Sequence, residues 1–460
     1  MSRPLQRQPG QLPAMAVLSM AMLLPSLGTS IANVALPTLA EHFGVSMAGA
    51  QWVVVAYLLA VTSFIVAAGR LGDQFGRTPI LTAGIALFAL ASAAAALSPS
   101  LPFLIAARVA QGAGAAVLMS LTIAMVSDMV PQDKTGVAIG WLGTVSAVGT
   151  ALGPTLGGML ISNAGWQTIF VLLAVLGGIT WLLLRMFASA ATPSRKVTSH
   201  DPVGMVLLAI SLAALCAAAT MWNRTAPASA FALAGGGMIG LAAFAAYELR
   251  IKAPLVRLQM VKQGQVASGL LGMMTVSVVV MTTLVVGPFY LTHELHLSPS
   301  NTGLVMSVGP VVAALTGVPA GKLVDAAGSG LMQLGGLLAA LGGSAMMMFL
   351  PQRLGVPGYV ASLAVITLGY AVFQAANTTR LMQEVDKGDR GVMSALLGLA
   401  RNLGLIVGAS IMGAVYAVQS SLIMTFALGG GLIGVCVVVT FLGDPMANSN
   451  GSRSNAKESN

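Results

Sequence analysis

Fourteen long apolar runs, separated by short stretches that carry nearly all the charge, decide what this chain can fold into. They lie near residues 12–36, 49–69, 79–97, 101–126, 136–160, 166–187, 203–222, 229–247, 266–290, 301–320, 330–350, 356–379, 391–418 and 420–442. About 20 apolar residues take a helix across the hydrocarbon core of a bilayer, so the pattern predicts an all-α membrane protein with 14 spans. Composition agrees: 56% of the 460 residues are hydrophobic and 8% are charged, where a soluble domain carries roughly a quarter charged. A large soluble enzyme, a disordered chain and a fibrous one are excluded. The first run is too long for a cleaved signal peptide, and further spans follow it directly.

Positive charge sets the expected orientation. With the N-terminus inside, eighteen of the 22 Lys and Arg fall at the inner face, Arg224 and Arg353 fall outside, and Arg108 and Arg401 lie within helices. That asymmetry would vanish if one early span were miscounted, so it supports the count and places both termini in the cytoplasm. The net charge of +9 then reflects cytoplasmic loops, not nucleic-acid binding. Cys216 and Cys436 sit in apolar runs far from any His or Cys partner and read as core residues, with no metal site or disulfide framework. The expected organisation is a cytoplasmic tail 1–11, a six-helix bundle 12–187, a linker 188–265 holding spans seven and eight, a second bundle 266–442, and a disordered cytoplasmic tail 443–460.

The two bundles repeat one another. Gly69-Arg70-Leu71-Gly72-Asp73-Gln74-Phe75-Gly76-Arg77 follows span two, and Gly321-Lys322-Leu323-Val324-Asp325-Ala326-Ala327-Gly328-Ser329 follows span ten, at a constant offset of 252 (69 to 321). Span four, from Arg108 through Gln111 to Ala113, echoes Ala371 through Gln374 to Ala376 of span twelve. Two repeated halves around a site at the midplane are the architecture of a secondary transporter.

The segment 69–77 resembles the cytoplasmic signature of the major facilitator superfamily. The resemblance implies gating roles for Gly69, Asp73, Gly76, Arg77 and, in the second copy, Asp325. Leu104-x-x-x-Arg108-x-x-Gln111-Gly112 is similar to the fourth-helix signature of the same superfamily. An arginine at lipid depth costs at least ~2.5 kcal/mol on insertion scales, so it must face a partner or a cavity. Arg108 and Arg401 are therefore read as residues of coupling or substrate charge. In span five, Gly149, Gly153 and Gly157 lie four apart, with Pro154 and Gly158 beside them. Stacked glycines let a partner helix come close, and the proline favours a bend. The string resembles the antiporter motif that marks exporters within the superfamily. Further strings, such as Ile31-Ala32-Asn33-Val34-Ala35-Leu36-Pro37 and Pro288-Phe289-Tyr290-Leu291, resemble the fourteen-span drug–proton antiporter branch across nearly the whole chain.

One departure stands out. Relatives of that branch place an aspartate where this chain has Gly28, and the deepest acids here are Asp128, Glu248 and Glu294, at helix ends. Ser26, Thr29, Ser30 and Asn33 share one face of span one. With Tyr57, Gln111, Gln374, Asn377 and Asn402 they are the expected polar lining of a substrate cavity. The expected function is export of small molecules (drug or multidrug efflux, coupled to protons) by alternating access, as a monomer in the plasma membrane, among lipid. No enzyme chemistry, cofactor, metal or nucleic acid is implied. A metabolite uptake permease of the same superfamily, or a non-transporting membrane sensor, is the alternative.

Overall fold

The computed structural model describes residues 11–129, 135–187, 202–221, 227–251, 264–385 and 390–442. The expected terminal tails, residue 11 apart, and part of the expected linker lie outside these residues.

The described chain is helical. In order the helices are α1 (Gln11–Val34), α2 (Leu36–His42), α3 (Met47–Ala50), α4 (Trp52–Phe75), α5 (Arg77–Ala96), α6 (Leu101–Met129), α7 (Thr135–Ala164), α8 (Gln167–Phe187) and α9 (Pro202–Met221). Then come α10 (Pro227–Glu248), α11 (Gly264–Phe289), α12 (Pro299–Ala327), α13 (Ser329–Leu354), α14 (Val356–Gln383), α15 (Arg390–Val407), α16 (Gly413–Gln419) and α17 (Leu422–Leu442). Among the described residues, 13 helical stretches are long and apolar enough to cross a membrane. The expected span seven coincides with α9, whose apolar part, Val206–Ala218, is shorter than those 13.

Four details differ from the sequence reading. Span one breaks at Ala35, so that Pro37 sits in the first turn of α2, where its missing N–H costs nothing. Span nine does not end at Pro288: the helix runs on into a π turn, Tyr290–Glu294. Span thirteen is interrupted by a second π segment, Gly408–Met412, between α15 and α16. The repeated signature is not a loop. Gly69 to Phe75 completes α4 and Gly321 to Ala327 completes α12; only Gly76 (φ +96°) and Gly328 (φ +90°) break the helix, at the same offset of 252 (76 to 328). A left-handed φ is open to glycine and strained for other residues.

The packing also corrects the repeat. A Cβ on Gly114 would lie 2.9 Å from the Gly84 carbonyl oxygen, and one on Gly369 would lie 2.8 Å from the Gly336 carbonyl oxygen. Spans three and eleven keep the offset of 252 (84 to 336), whereas spans four and twelve stand 255 apart (114 to 369). Arg108 therefore corresponds to Leu363 and Gln111 to Ile366, not to Ala371 and Gln374. Sequence echo chose the wrong register because one glutamine outweighed a run of interchangeable small residues.

The chain divides into two compact units, residues Met1–Val45, Trp52–Ala213 and Ser298–Ser307 in the first, and Ser46–Gln51, Ala214–Leu297 and Val308–Asn460 in the second. In the first, Leu81, Ile85, Phe88, Leu104, Leu118 and Phe170 form a core closed to solvent; in the second, Val276, Val285, Leu337, Ala340, Ile366 and Phe373 do.

The two left-handed glycines give a first test. Gly76→Ala and Gly328→Ala should each destabilise by about 1–2 kcal/mol. Gly143→Ala, in α7 with open space around the new methyl, should be neutral or stabilising. Thermal unfolding of the purified variants reads the difference; equal melting points for all three would remove the role of the two breaks.

Candidate functional site

The first candidate is the junction of α4 and α5. Because Gly76 turns the chain, Asp73 in the last turn of α4 faces Arg77 at the start of α5. Arg77 donates to Asp73 Oδ1 from Nε (3.2 Å) and Nη2 (3.0 Å), and from Nη1 to the Ala124 carbonyl oxygen of α6 (3.1 Å). The side chains are 31% (Arg77) and 40% (Asp73) exposed, so the pair adds little stability; its consequence is geometric, since three helices meet in one guanidinium. Gly69 and Gly72 sit against Ser120 and Leu121 of α6, which lets α4 lie close to it. In the second unit the counterpart of Arg77 is Ser329, and Asp325 is exposed.

The second candidate is Arg108, in the middle of α6 and fully buried. Gly112, one turn on, has no room for a Cβ, which would fall against the Tyr57 carbonyl oxygen and the Ala60 methyl. That close crossing brings the guanidinium to α4. Nε donates to the Val53 carbonyl oxygen (2.9 Å), Nη1 donates to Gln111 Oε1, and the group stacks 4.2 Å from the centre of the Tyr57 ring. Gln111 Nε2 in turn donates to Ser92 Oγ of α5 (2.6 Å), which donates to the Phe88 carbonyl oxygen. Among the described residues, no carboxylate is a partner of Arg108, and its Nη2 has no hydrogen bond. Ser92 and Val53 were not singled out in the sequence; a serine in an alanine-rich helix and a backbone carbonyl carry no signal there.

The third is the glycine face of α7, which seats on α1. A Cβ on Gly149 would meet the Leu23 carbonyl oxygen at 3.0 Å; one on Gly153 would overlap the Ser30 hydroxyl and reach the Ile31 nitrogen at 2.9 Å; one on Gly157 would meet Ile31 at 2.9 Å. Pro154 lies inside the helix. Gly158 faces away from α1, toward Pro299 and Gly303 of α12, beside a hydroxyl pair between Thr155 and Ser307 (2.5 Å).

The expected cavity lining divides by burial. Ser30 and Asn33 are closed off, Ser30 donating to the Ser26 carbonyl oxygen (3.1 Å) and Asn33 to that of Thr29 (3.1 Å). Tyr57 donates to the Pro25 carbonyl oxygen (3.0 Å) from a fully buried position. These three, with Gln111 and Asn377, are closed to solvent in this structure. Ser26, paired with Ser146 Oγ at 2.6 Å, and Thr29 stay half-buried, as does Gln374.

Asn377 belongs to a network that sequence reasoning missed. Gln333 of α13 donates to Asn377 Oδ1 (3.0 Å), Asn377 donates to the Gly269 carbonyl oxygen of α11 (3.0 Å), and Arg380 donates to Gln333 Oε1 (2.9 Å). A buried glutamine amid Leu331, Met332 and Leu334 was the available signal. Arg401 is half-buried, its Nε without a hydrogen bond, next to the nearly buried Asn402. Gln51, fully buried with its amide unpaired, covers Gly413; it too was missed.

Comparison with known proteins places this geometry. The family model of the Major Facilitator Superfamily matches residues 18–409 and 266–459, and the chain belongs to that family. It is 27% identical over 406 residues to the riboflavin transporter RibZ of Clostridioides difficile (strain 630), covering 87% of each chain. It is 29% identical over 410 residues to the multidrug resistance protein Stp of Mycobacterium tuberculosis (strain CDC 1551 / Oshkosh), covering 88% of this chain and 76% of that one. The crystal structure of a D-xylose–proton symporter superposes with a TM-score of 0.70 at 15% identity, over 95% of this chain and 98% of that one, which shows the shared fold. The protein is a multi-pass transporter of the plasma membrane.

The α7–α1 seat makes a graded prediction. Gly153→Ala should destabilise by about 1–3 kcal/mol, because its methyl meets backbone at 2.9 Å, and Gly149→Ala should cost less, meeting oxygen at 3.0 Å and a side chain at 3.2 Å. Melting temperatures in detergent test the order; the reverse order would refute the close-approach reading.

Proposed function

We propose that this transporter exports small molecules, as a drug or multidrug efflux pump coupled to protons, by alternating access. The observation that carries the reading is the α7 face, where Gly149, Gly153 and Gly157 seat on α1 around Pro154, a string that resembles the exporter motif. Relatives named as a multidrug resistance protein and a multidrug efflux pump support it. In this reading the expected six-span halves, 12–187 and 266–442, alternate around the substrate, with α9 and α10 as an inserted hairpin. Asp73, Arg77, Gly69 and Gly76 form a gate clamp, with Asp325 as its reduced second copy. Arg108 and Arg401 set the charge of the interior. Ser26, Thr29, Gln374 and Asn402 present polar groups to the cargo.

A second reading, uptake of a metabolite, is favoured by the relative named a riboflavin transporter. The deciding experiment expresses the gene in a pump-deficient bacterial host. Raised resistance across a drug panel supports export; rescue of a riboflavin auxotroph at limiting riboflavin, without raised resistance, would replace that reading with uptake.

The clamp predicts its own variant. Asp73→Asn keeps an acceptor for Arg77 but removes the charge, so membrane levels of the protein should stay near normal while resistance falls. Full resistance from a normally expressed Asp73→Asn protein would reduce the clamp to a topological signal.

A further inference from the structure

Arg108 is a fully buried cation to which the described residues offer only neutral partners. An arginine stays protonated in such a site, and a buried charge without a counter-charge is expensive. We propose that the transported molecule brings the counter-charge: Arg108 selects cargo carrying a carboxylate or comparable oxyanion, received by its free Nη2. The proposal deepens the transport reading and rests on it, but it does not depend on the direction of transport.

Three observations carry it. First, the donors are incompletely used. Nε and Nη1 are satisfied by the Val53 carbonyl oxygen and Gln111, and the Gln111–Ser92–Phe88 relay ends on a carbonyl, so nothing in the cluster offsets the charge. Nη2 is buried and unpartnered. Second, the arginine is not part of the repeat: at the matching positions of the second unit Leu363 and Ile366 stand where the first has Arg108 and Gln111, and Gly309 where it has Tyr57. Third, the neighbouring wall of α1 carries no competing acid. Gly28 faces Phe88 and Tyr57, where a Cβ would lie 3.3 Å from Phe88 Cζ and 3.7 Å from Tyr57 Oη. Tyr57 is held by the Pro25 carbonyl oxygen, which fixes the ring on which the guanidinium stacks. The half-buried Ser26 and Thr29 lie on the same helix, one on each side of Gly28. A cation arriving here would meet an uncompensated like charge, and an anion would meet a stacked, oriented donor.

The test is binding to the full-length protein in nanodiscs by calorimetry. Benzoate, salicylate and nicotinate are each compared with their primary amides, which match them in shape and lack the charge. The wild type should bind at least one acid about tenfold more tightly than its amide, the size of one charge-assisted hydrogen bond. Arg108→Gln should abolish that preference and Arg108→Lys should keep part of it. Gly28→Asp, which installs a carboxylate beside Tyr57, should also abolish it, while Gly28→Asn, equal in size, should not; this pair decides the matter if Arg108→Gln fails to fold. No measurable binding of any acid, amides that bind as well as acids, or a preference that survives both Arg108→Gln and Gly28→Asp would each overturn the proposal. Acid binding without any resistance phenotype would sink the export reading and leave the Arg108 site standing.

Discussion

Backbone-to-backbone approach at glycine is the constraint on which the rest depends. Lipid gives apolar helices no reason to leave it for one another, so association rests on close packing and on hydrogen bonds between helices. In the first unit Gly84, Gly112, Gly114, Gly149, Gly153 and Gly157 each lack room for a comfortable Cβ; in the second, Gly336, Gly369, Gly404 and Gly408 do. The placement of the candidate side chains follows from this. Arg108 reaches the Val53 carbonyl because Gly112 lets α6 touch α4, and Ser26 meets Ser146 because Gly149 lets α7 touch α1.

The two units repeat their packing but not their chemistry. Ser92 and Ser344 both sit buried and donate to the carbonyl four residues back, at an offset of 252 (92 to 344). Gly149 against Leu23 recurs as Gly404 against Met274. Polar groups are distributed unequally over this common frame. The arginine cluster has apolar counterparts in the second unit, and the Gln333–Asn377–Arg380 network stands where the first unit has Leu81, Thr122 and Met125.

Much of this was legible in the sequence, and the misses have physical causes. Span positions follow from the length of apolar runs, which bilayer thickness fixes, and thirteen crossing-length helices fall where those runs lie. The glycine ladder of span five was readable because small residues four apart share one helix face. What periodicity could not show was depth of burial: Ser30 and Asn33 share a helical stripe with Ser26 and Thr29, yet the first two are buried and the others half-buried. The π segments were equally invisible, since Tyr290–Glu294 and Gly408–Met412 have no residue that demands a wider turn.

The second π segment resolves an asymmetry that the sequence left open. Span five has a proline after its second packed glycine, and span thirteen has none, which by sequence confines the antiporter-like string to one half. At the offset of 255 that relates Gly153 to Gly408, Pro154 corresponds to Ala409, the second residue of the π segment. One half interrupts its helical hydrogen bonding at this level with a proline, the other with a π turn. In both, the glycine just before has already given the neighbouring helix its close contact: Gly153 on Ser30 and Ile31, Gly408 on Val278 and Met281. Unrelated residues thus alter the α-helical hydrogen bonding at equivalent levels of the two halves, a proline in one and a π turn in the other.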